Sequence, residues 1–297
     1  MLGEDAALPA RFYRMKPSFL CGLAWLGAAC SAGGSRASAP GPDGRSPVAA
    51  SVRAASATKP KPKPMRIMTY NVNYGLAGDQ DTLEAIRAGD ADLVLLQETN
   101  SAWRQAIEGA LAADYPHSRF RDWGLAGGLG VLSRWPIREE HFTPSPHGWF
   151  PAWRLIIDTP RGALQVFNLH LRPPLSARGT FLDRFTITAK HRVKEITSYF
   201  QHVDPAIPAL FAGDFNEDAQ GGAIAFLRKN GYRDVMGDIL PDTPTWRWDT
   251  PMGKVHWQLD HVVYGRGLRA RTVKVLQAGR SDHLPGRILS VVAHCFG

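Results

Sequence analysis

Pro208-Ala209-Leu210-Phe211-Ala212 runs straight into Gly213-Asp214-Phe215-Asn216. The first five residues have the continuous apolar character of a strand buried on both faces. A glycine breaks the run, and a carboxylate and a carboxamide follow two residues apart. Alone, this would be a strand end and a turn. Five more clusters repeat the arrangement. Tyr70-Asn71-Val72-Asn73, Gln97-Glu98 and Asn168-Leu169-His170 lie upstream; Gln258-Leu259-Asp260-His261 and Ser281-Asp282-His283-Leu284-Pro285 lie downstream. Each follows a short strand-like run, and each carries side chains that bind a hard metal ion or move a proton.

Between these clusters the pattern alternates strands with helices. Arg66 to Val72 reads as a first strand, and Asp92 to Glu98 as a strand buried on both faces. Asp81 to Ala88 and Ser101 to Ala112 read as helices, the second capped by Asn100 or Ser101. Gly127 to Arg134 reads as a strand entered through glycines. Trp153–Thr159 and Ala163–Leu169 read as a hairpin across Pro160-Arg161-Gly162. Phe181 to Phe200 is the longest helical segment; a helix over Gly222 to Asn230 and strands at Leu259 to Tyr264 and Ile288 to Val292 complete the chain. Short strands, several hairpins and few helices argue for two packed sheets with helices outside, an α/β (α+β) architecture.

The order of the motifs, with GDFN at 213–216 and SDHLP at 281–285, resembles the endonuclease/exonuclease/phosphatase superfamily, the relatives of deoxyribonuclease I, exonuclease III and neutral sphingomyelinase. The resemblance covers about residues 65 to 297. It implies a four-layer sandwich of two mixed sheets flanked by helices, with the site at one end. It also implies hydrolysis of a phosphoester with Mg²⁺ or Mn²⁺.

That chemistry needs neutralised phosphate charge, an aimed water and help for the leaving oxygen. Mg²⁺ takes few carboxylates and binds substrate phosphate. By resemblance Glu98 is the main metal ligand, with Asn71 touching metal and phosphate and Asp282 placed at the metal shell. Asp214 is the candidate for orienting the attacking water. Asn216, two residues on and so on the same side of an extended chain, helps hold phosphate oxygens. His283 is the general base, or the positive group beside the phosphate, in keeping with its ordinary titration range. By resemblance Asp260 holds its ring. His170 stands where relatives keep a phosphate-contacting histidine, and Asn168 supports it. His261 points away from Asp260 and is read as structural.

Apurinic-endonuclease relatives carry an acidic residue where this chain has Asn73, and a tyrosine-containing loop where it has His170-Leu171-Arg172-Pro173-Pro174. Both departures weaken a DNA-repair reading. Arg172 or Arg178 is placed to hold a phosphate; Arg184, Lys190, Arg192 and Lys194 read as the solvated face of the long helix. Eight of the nine tryptophans follow residue 64. Trp149 and Trp153 flank one loop, and Trp246, Trp248 and Trp257 another. They suit stacking on bases, a lipid interface, or the core.

The formal net charge is +8, but nine Lys/Arg and three Asp/Glu fall in residues 1–64, which leaves 26 and 24 for residues 65–297. Basicity therefore belongs mostly to the leader and argues little for nucleic acid. Cys21 and Cys30 lie in that leader, and Cys295 near the end, so no disulfide forms within the catalytic domain. Residues 1–30 read as a signal peptide. The apolar core from Phe19 to Cys30 is too short to span a bilayer comfortably. A lipoprotein type, with Cys30 lipidated, is one reading and cleavage near Ala37-Ser38-Ala39 another. A cytoplasmic chain with a disordered arm is the alternative to export into the periplasm or medium. Residues 31–64, rich in Ser, Ala, Gly and Pro and ending in Lys59-Pro60-Lys61-Pro62-Lys63-Pro64, read as a disordered linker and semi-rigid tether, to a membrane if Cys30 is lipidated; a basic arm touching anionic lipid or nucleic acid is the alternative. Nothing in the sequence calls for an oligomer.

Nucleic acid is the favoured substrate. A phospholipid or sphingomyelin head group, or a phosphomonoester, is the alternative within the same chemistry. A binding protein that keeps the fold without activity is the alternative outside it.

Overall fold

The computed structural model describes residues 64–146, 149–174, 181–250 and 253–291. The signal-peptide and tether readings, Arg178, Val292 and Cys295 lie outside the described residues, as does the Arg184 side chain.

The chain opens with strand β1 (Met65–Asn71), helix α1 (Gln80–Ala88), β2 (Leu93–Gln97) and α2 (Ser101–Leu111). It continues with β3 (His117–Arg121), β4 (Leu129–Ser133), β5 (Ile137–Thr143), β6 (Ala152–Thr159) and β7 (Gly162–His170). After α3 (Phe181–Phe200) come β8 (Ala209–Asp214), α4 (Gly222–Lys229), β9 (Arg233–Asp234) and α5 (Val235–Ile239). The last strands are β10 (Trp246–Thr250), β11 (Gly253–Trp257), β12 (Asp260–Tyr264), β13 (Ala270–Val275) and β14 (Gly286–Val291).

Two six-stranded mixed sheets result. One runs β13-β14-β1-β2-β4-β3 and the other β5-β6-β7-β8-β12-β9; β10 and β11 form a separate hairpin. The parallel pairs are β1–β2 and β7–β8, at the middle of each sheet. A parallel pair needs a crossover, and α1 and α3 supply it. The two central strand pairs are the most apolar, as burial on both faces requires.

Side-chain parity sorts these strands into three apolar layers. Ile67, Leu93, Leu95 and Val131 of the first sheet face Leu155, Val166, Leu210 and Val262 of the second. Met68, Tyr70, Val94 and Leu96 turn outward onto Leu83 and Ile86 of α1 and Trp103, Ile107 and Leu111 of α2. Phe167, Leu169, Phe211 and Val263 turn outward onto Ile196 and Tyr199 of α3 and Ile224 and Leu227 of α4. This is the four-layer sandwich that the sequence implies. Helix starts are satisfied locally: Asp79 and Asn100 accept from Thr82 N and Trp103 N, both at 2.9 Å. Gly221 has no side chain to cap α4, so the Glu217 carboxylate takes the Ala223 and Ile224 amides instead.

Three expectations need correction. Arg192 is not on a solvated face: it is buried, 3.0 Å from Glu217, whereas Lys190 and Lys194 are exposed. Trp246 and Trp257 do not flank a loop but pair across the β10–β11 hairpin. Strands β3, β5, β9 and β13, all at sheet edges, carry no apolar run and were absent from the sequence reading.

Gly213 shows why the decisive stretch needs its glycine. Its φ is +147°, and a Cβ there would overlap the Leu169 carbonyl oxygen of β7. Only a residue without Cβ allows β7 and β8 to approach so closely where both leave the sheet. Gly213→Ala is expected to destabilise the protein by about 3 kcal/mol, lowering the melting temperature by roughly 10 °C. A melting curve within about 2 °C of wild type would refute this account of the strand end.

Candidate active site

The inward face of both sheets is apolar for most of its length and becomes polar at one end. On β1 the inward series passes from Ile67 through Thr69 to Asn71, and on β2 from Leu95 to Gln97. On β7 it passes from Val166 through Asn168 to His170, and on β8 from Ala212 to Asp214. On β12 it starts at Asp260 and becomes apolar at Val262. Register then sets neighbours: Asp214 sits opposite His170 on one side and Asp260 on the other. Side chains far apart in sequence thus share one buried end of the sandwich.

Asp214 is the centre. Its Oδ2 accepts from Asn71 Nδ2 at 3.1 Å and lies 3.5 Å from both His170 Nε2 and His283 Nε2. Its Oδ1 accepts from Asn216 N at 2.9 Å. Asn71 Nδ2 also donates to Glu98 Oε1 at 3.0 Å, so one amide group ties a carboxylate of each sheet together. His283 Nδ1 donates to Asp260 Oδ2 at 2.8 Å. Asp282 accepts from Asn73 Nδ2 and Trp246 Nε1, each at 3.0 Å. The sequence-derived set therefore converges, with one exception. Arg172 stands at the rim, its guanidinium over the Trp149 ring at 4.6 Å.

Asn216 does not join the site by strand alternation. β8 ends at Asp214, and Asn216 returns through a left-handed φ of 51° with Nδ2 donating to Leu171 O at 2.9 Å. Glu98 and Asn73 also take left-handed φ values, 59° and 58°. Such conformations are uncommon outside glycine and mark where the backbone is bent to aim a side chain.

Electrostatics separates the two histidines. Burial, reinforced by the charge of His283, pushes His170 down to about 3. Its Nδ1 faces Ala126 O at 3.1 Å, so that nitrogen carries the hydrogen and Nε2 is an acceptor while the ring is neutral. Burial would lower His283 too, but the charges of Asp260, Asp214 and Asp282 outweigh it and raise this ring, which is an imidazolium. Burial raises Asp214, as does the charge of Asp260. Burial also raises Glu98, against the bonds from Asn71 and Tyr74 N. Asp282 is held low: the His283 charge, Asn73 and Trp246 overcome its burial.

The donor set fits a hard divalent cation. Four carboxylates, Glu98, Asp214, Asp260 and Asp282, meet one imidazolium, and among the described residues no lysine or arginine lies within ion-pair distance of any of them. Among the described residues, Asp260 Oδ1 is buried without a partner. The tightest group of ligand atoms is Asp214, Asp260 and His283, within 4.8 Å of one another. His283 is nevertheless a poor ligand there, because its Nδ1 is given to Asp260 and its ring is charged. Glu98, paired with Asn71, has free carboxylate capacity and is the better anchor.

Sequence reasoning named Asn168 as a support but missed Gln97, Thr245 and Phe150. Gln97 Nε2 donates to Asn168 Oδ1 at 2.7 Å, and Asn168 Nδ2 donates to the carbonyls of Leu96 and Gly130, so Asn168 pins the two sheets together. Thr245 Oγ1 accepts from the amides of Leu259 and Asp260. Phe150 stacks on His170 at 4.1 Å. His261 is structural, as expected: it faces outward between Asp234 and the Glu217 carbonyl.

The family model described as the endonuclease/exonuclease/phosphatase family matches residues 68–283. An endonuclease/exonuclease/phosphatase from Beutenbergia cavernae DSM 12333 is similar in structure, with a TM-score of 0.63 and 21% identity over 78% of this chain and 72% of that one. An endonuclease/exonuclease/phosphatase family protein from Bacteroides thetaiotaomicron gives a TM-score of 0.60 and 18% identity over 79% and 100%. An AP endonuclease from Archaeoglobus fulgidus gives 0.59 and 15% over 76% and 99%. No curated protein matches the sequence.

His261 yields a pH prediction. Both its ring nitrogens face acceptors, Asp234 Oδ2 at 2.9 Å and Glu217 O at 3.0 Å, so the folded state holds the ring protonated. Burial opposes this, but the Asp234 charge and both bonds raise its pKa above the ordinary 6.5. The resulting stability is full below pH 6.5 and lost as pH rises through the raised value. Denaturant midpoints measured between about pH 6 and 9 are expected to fall more for wild type than for His261→Gln. Parallel curves for the two proteins would rule this out.

Proposed function

This chain belongs to the endonuclease/exonuclease/phosphatase family of metal-dependent phosphoesterases, and we propose that it is a phosphodiesterase acting on nucleic acid. The observation that carries the reaction class is the convergence of Glu98, Asp214, Asp260, Asp282, His170 and His283 at one end of the sandwich. Glu98, Asn71 and Asp282 would hold Mg²⁺ or Mn²⁺. When bound, the ion neutralises phosphate charge and stabilises the leaving oxygen.

The chain's own groups do the rest. Asp214 Oδ2, between two histidines, accepts a hydrogen bond from the attacking water and aims it. His283, gripped by Asp260, faces charge developing on the phosphate. A phosphate at His170 supplies the negative charge that draws a proton onto Nε2, turning an acceptor into a donor. Asn216 keeps one amide hydrogen on Leu171 O and offers the other to a phosphate oxygen.

The walls of the site favour nucleic acid. Trp246 stacks on Trp257 at 5.7 Å with 7° between planes, and Trp248 beside them is 51% exposed. This hairpin is bridged to His283, so a flat aromatic face adjoins the reacting groups. Bases stack on such faces without sequence preference. The leader pattern supports an exported enzyme tethered by its N-terminus.

Purified protein should cleave DNA or RNA with Mg²⁺ or Mn²⁺ and stop with EDTA. Glu98→Gln and His283→Gln should each lower the rate by about 100- to 1,000-fold. Cleavage of phospholipid vesicles alone would reject nucleic acid but keep the chemistry. Full activity in either variant would reject the site.

A further inference from the structure

Arg172 lies two residues beyond His170, and its side chain is the anomaly of this region. Arg66 and Arg134 pair with Asp90 and Asp92, and Arg192 pairs with Glu217. Among the described residues no carboxylate oxygen lies within ion-pair distance of the Arg172 guanidinium, on which Glu195 acts only through its charge, and Arg172 Nε is buried without a partner. A half-buried guanidinium left unpaired is unfavourable, and an anion placed against it relieves that.

The group is not loose. Arg172 N donates to Glu195 Oε2 at 2.9 Å, and its carbonyl accepts from Arg192 Nη1 at 3.2 Å. The other Glu195 oxygen accepts from Ser145 Oγ at 2.9 Å, and Tyr199 OH donates to Phe150 O at 2.9 Å. Helix α3 therefore holds both segments that form the stack, the one with Trp149 and the one with Arg172. From the rim inward the row runs Arg172 on Trp149, Trp149 edge-on to Phe150, and Phe150 flat on His170.

We propose that Arg172, laid on Trp149, is a specificity residue that binds a second phosphate of the substrate, next to the phosphate that is cleaved. This rests on the phosphodiesterase reading of the site and names what that site selects. Arg172 follows His170 by only two residues, and its guanidinium lies at the outer end of the stack that begins on the His170 ring, so a phosphate beyond the cleaved one can reach it. The second phosphate is either the neighbouring diester of a polynucleotide or a terminal monoester. A diester with a quaternary-ammonium head group is disfavoured. The face of Trp149 that would receive that cation is already covered by a guanidinium, and the two charges repel.

The test uses the full chain with Mg²⁺ on three thymidine substrates. dTpdT holds only the scissile phosphate, dTpdTpdT adds a diester, and pdTpdT adds a terminal monoester. Wild type should prefer at least one longer substrate in kcat/KM. Arg172→Ala should reduce that preference by about 10-fold, mostly through KM, the effect of one lost charge-assisted contact. Arg172→Lys should restore part of it, and Trp149→Leu should weaken it. Whichever longer substrate is affected identifies the source of the second phosphate. An equal loss on all three, or an unchanged preference, overturns the proposal. A second measurement avoids catalysis: binding of a fluorescent thymidine hexamer in EDTA as salt is varied. Losing one phosphate contact should lower the slope of log K against log salt by about 0.7 in Arg172→Ala. An unchanged slope overturns the second-phosphate contact. Failure of wild type to cleave any of the three substrates overturns the nucleic-acid reading on which the second phosphate rests, and the proposal with it.

Discussion

One oxygen, Asp214 Oδ2, is where the two sheets meet chemically. It accepts from Asn71 of the first sheet and lies equally far from His170 and His283. A buried carboxylate with so few full hydrogen bonds is unfavourable unless charge is supplied nearby. His283 supplies one positive charge, but Asp260 and Asp282 already draw on it. The excess of carboxylates is what makes the site a receptor for a cation and, through it, for a phosphate. The polar end of the sandwich carries more negative charge than the protein itself offsets.

That excess sets off the supports behind the site. Asn168 bonds Gln97 and two carbonyls, and Glu217 bonds Arg192 and two helix amides. At the centre, Glu98 is raised by burial, and Asp260 Oδ1 lacks a partner among the described residues. Backbone strain gathers there too. Asn73, Glu98 and Asn216 hold left-handed conformations around the site: Asn73 Nδ2 donates to Asp282, Glu98 accepts from Asn71 Nδ2, and Asn216 N donates to Asp214. Rigidity is thus built in a shell around the reacting groups.

The central strands and the convergent side chains were legible in the sequence because they are local facts. An apolar run of five or six residues ending in a polar pair specifies a doubly buried strand and its inward side chain at once. β1, β2, β7 and β8 announce themselves this way; β12 instead begins with its polar pair and turns apolar at Val262. Edge strands do not. β3, with Arg119 and Arg121, and β13, with Arg271 and Lys274, face water on one side and pair on one edge, so their residues are polar. Arg192 was misread for a related reason. Helical spacing places it among lysines, and only the tertiary partner Glu217, 25 residues away, makes burial of its charge affordable. Asn216 was placed at the site for the wrong reason, since a turn rather than strand alternation returns it.

Helix α3 joins these threads. As the crossover between β7 and β8 it is required by the parallel pairing, whatever the chemistry. Its buried polar residues, Arg192 and Glu195, reach the loops that leave those two strands, and so convert a topological necessity into a brace for the rim. The same helix that lets Asp214 stand beside His170 also fixes the backbone of Arg172. Reaction and selectivity are thereby separable in space. Strand ends set the reacting groups, while loops held to α3 set what surrounds them. Relatives with this sandwich can therefore differ in substrate without disturbing the strand ends. In this chain the residues proposed to set selectivity lie on the Trp149 and Arg172 segments and on the β10–β11 hairpin, not in the motifs that disclose the fold.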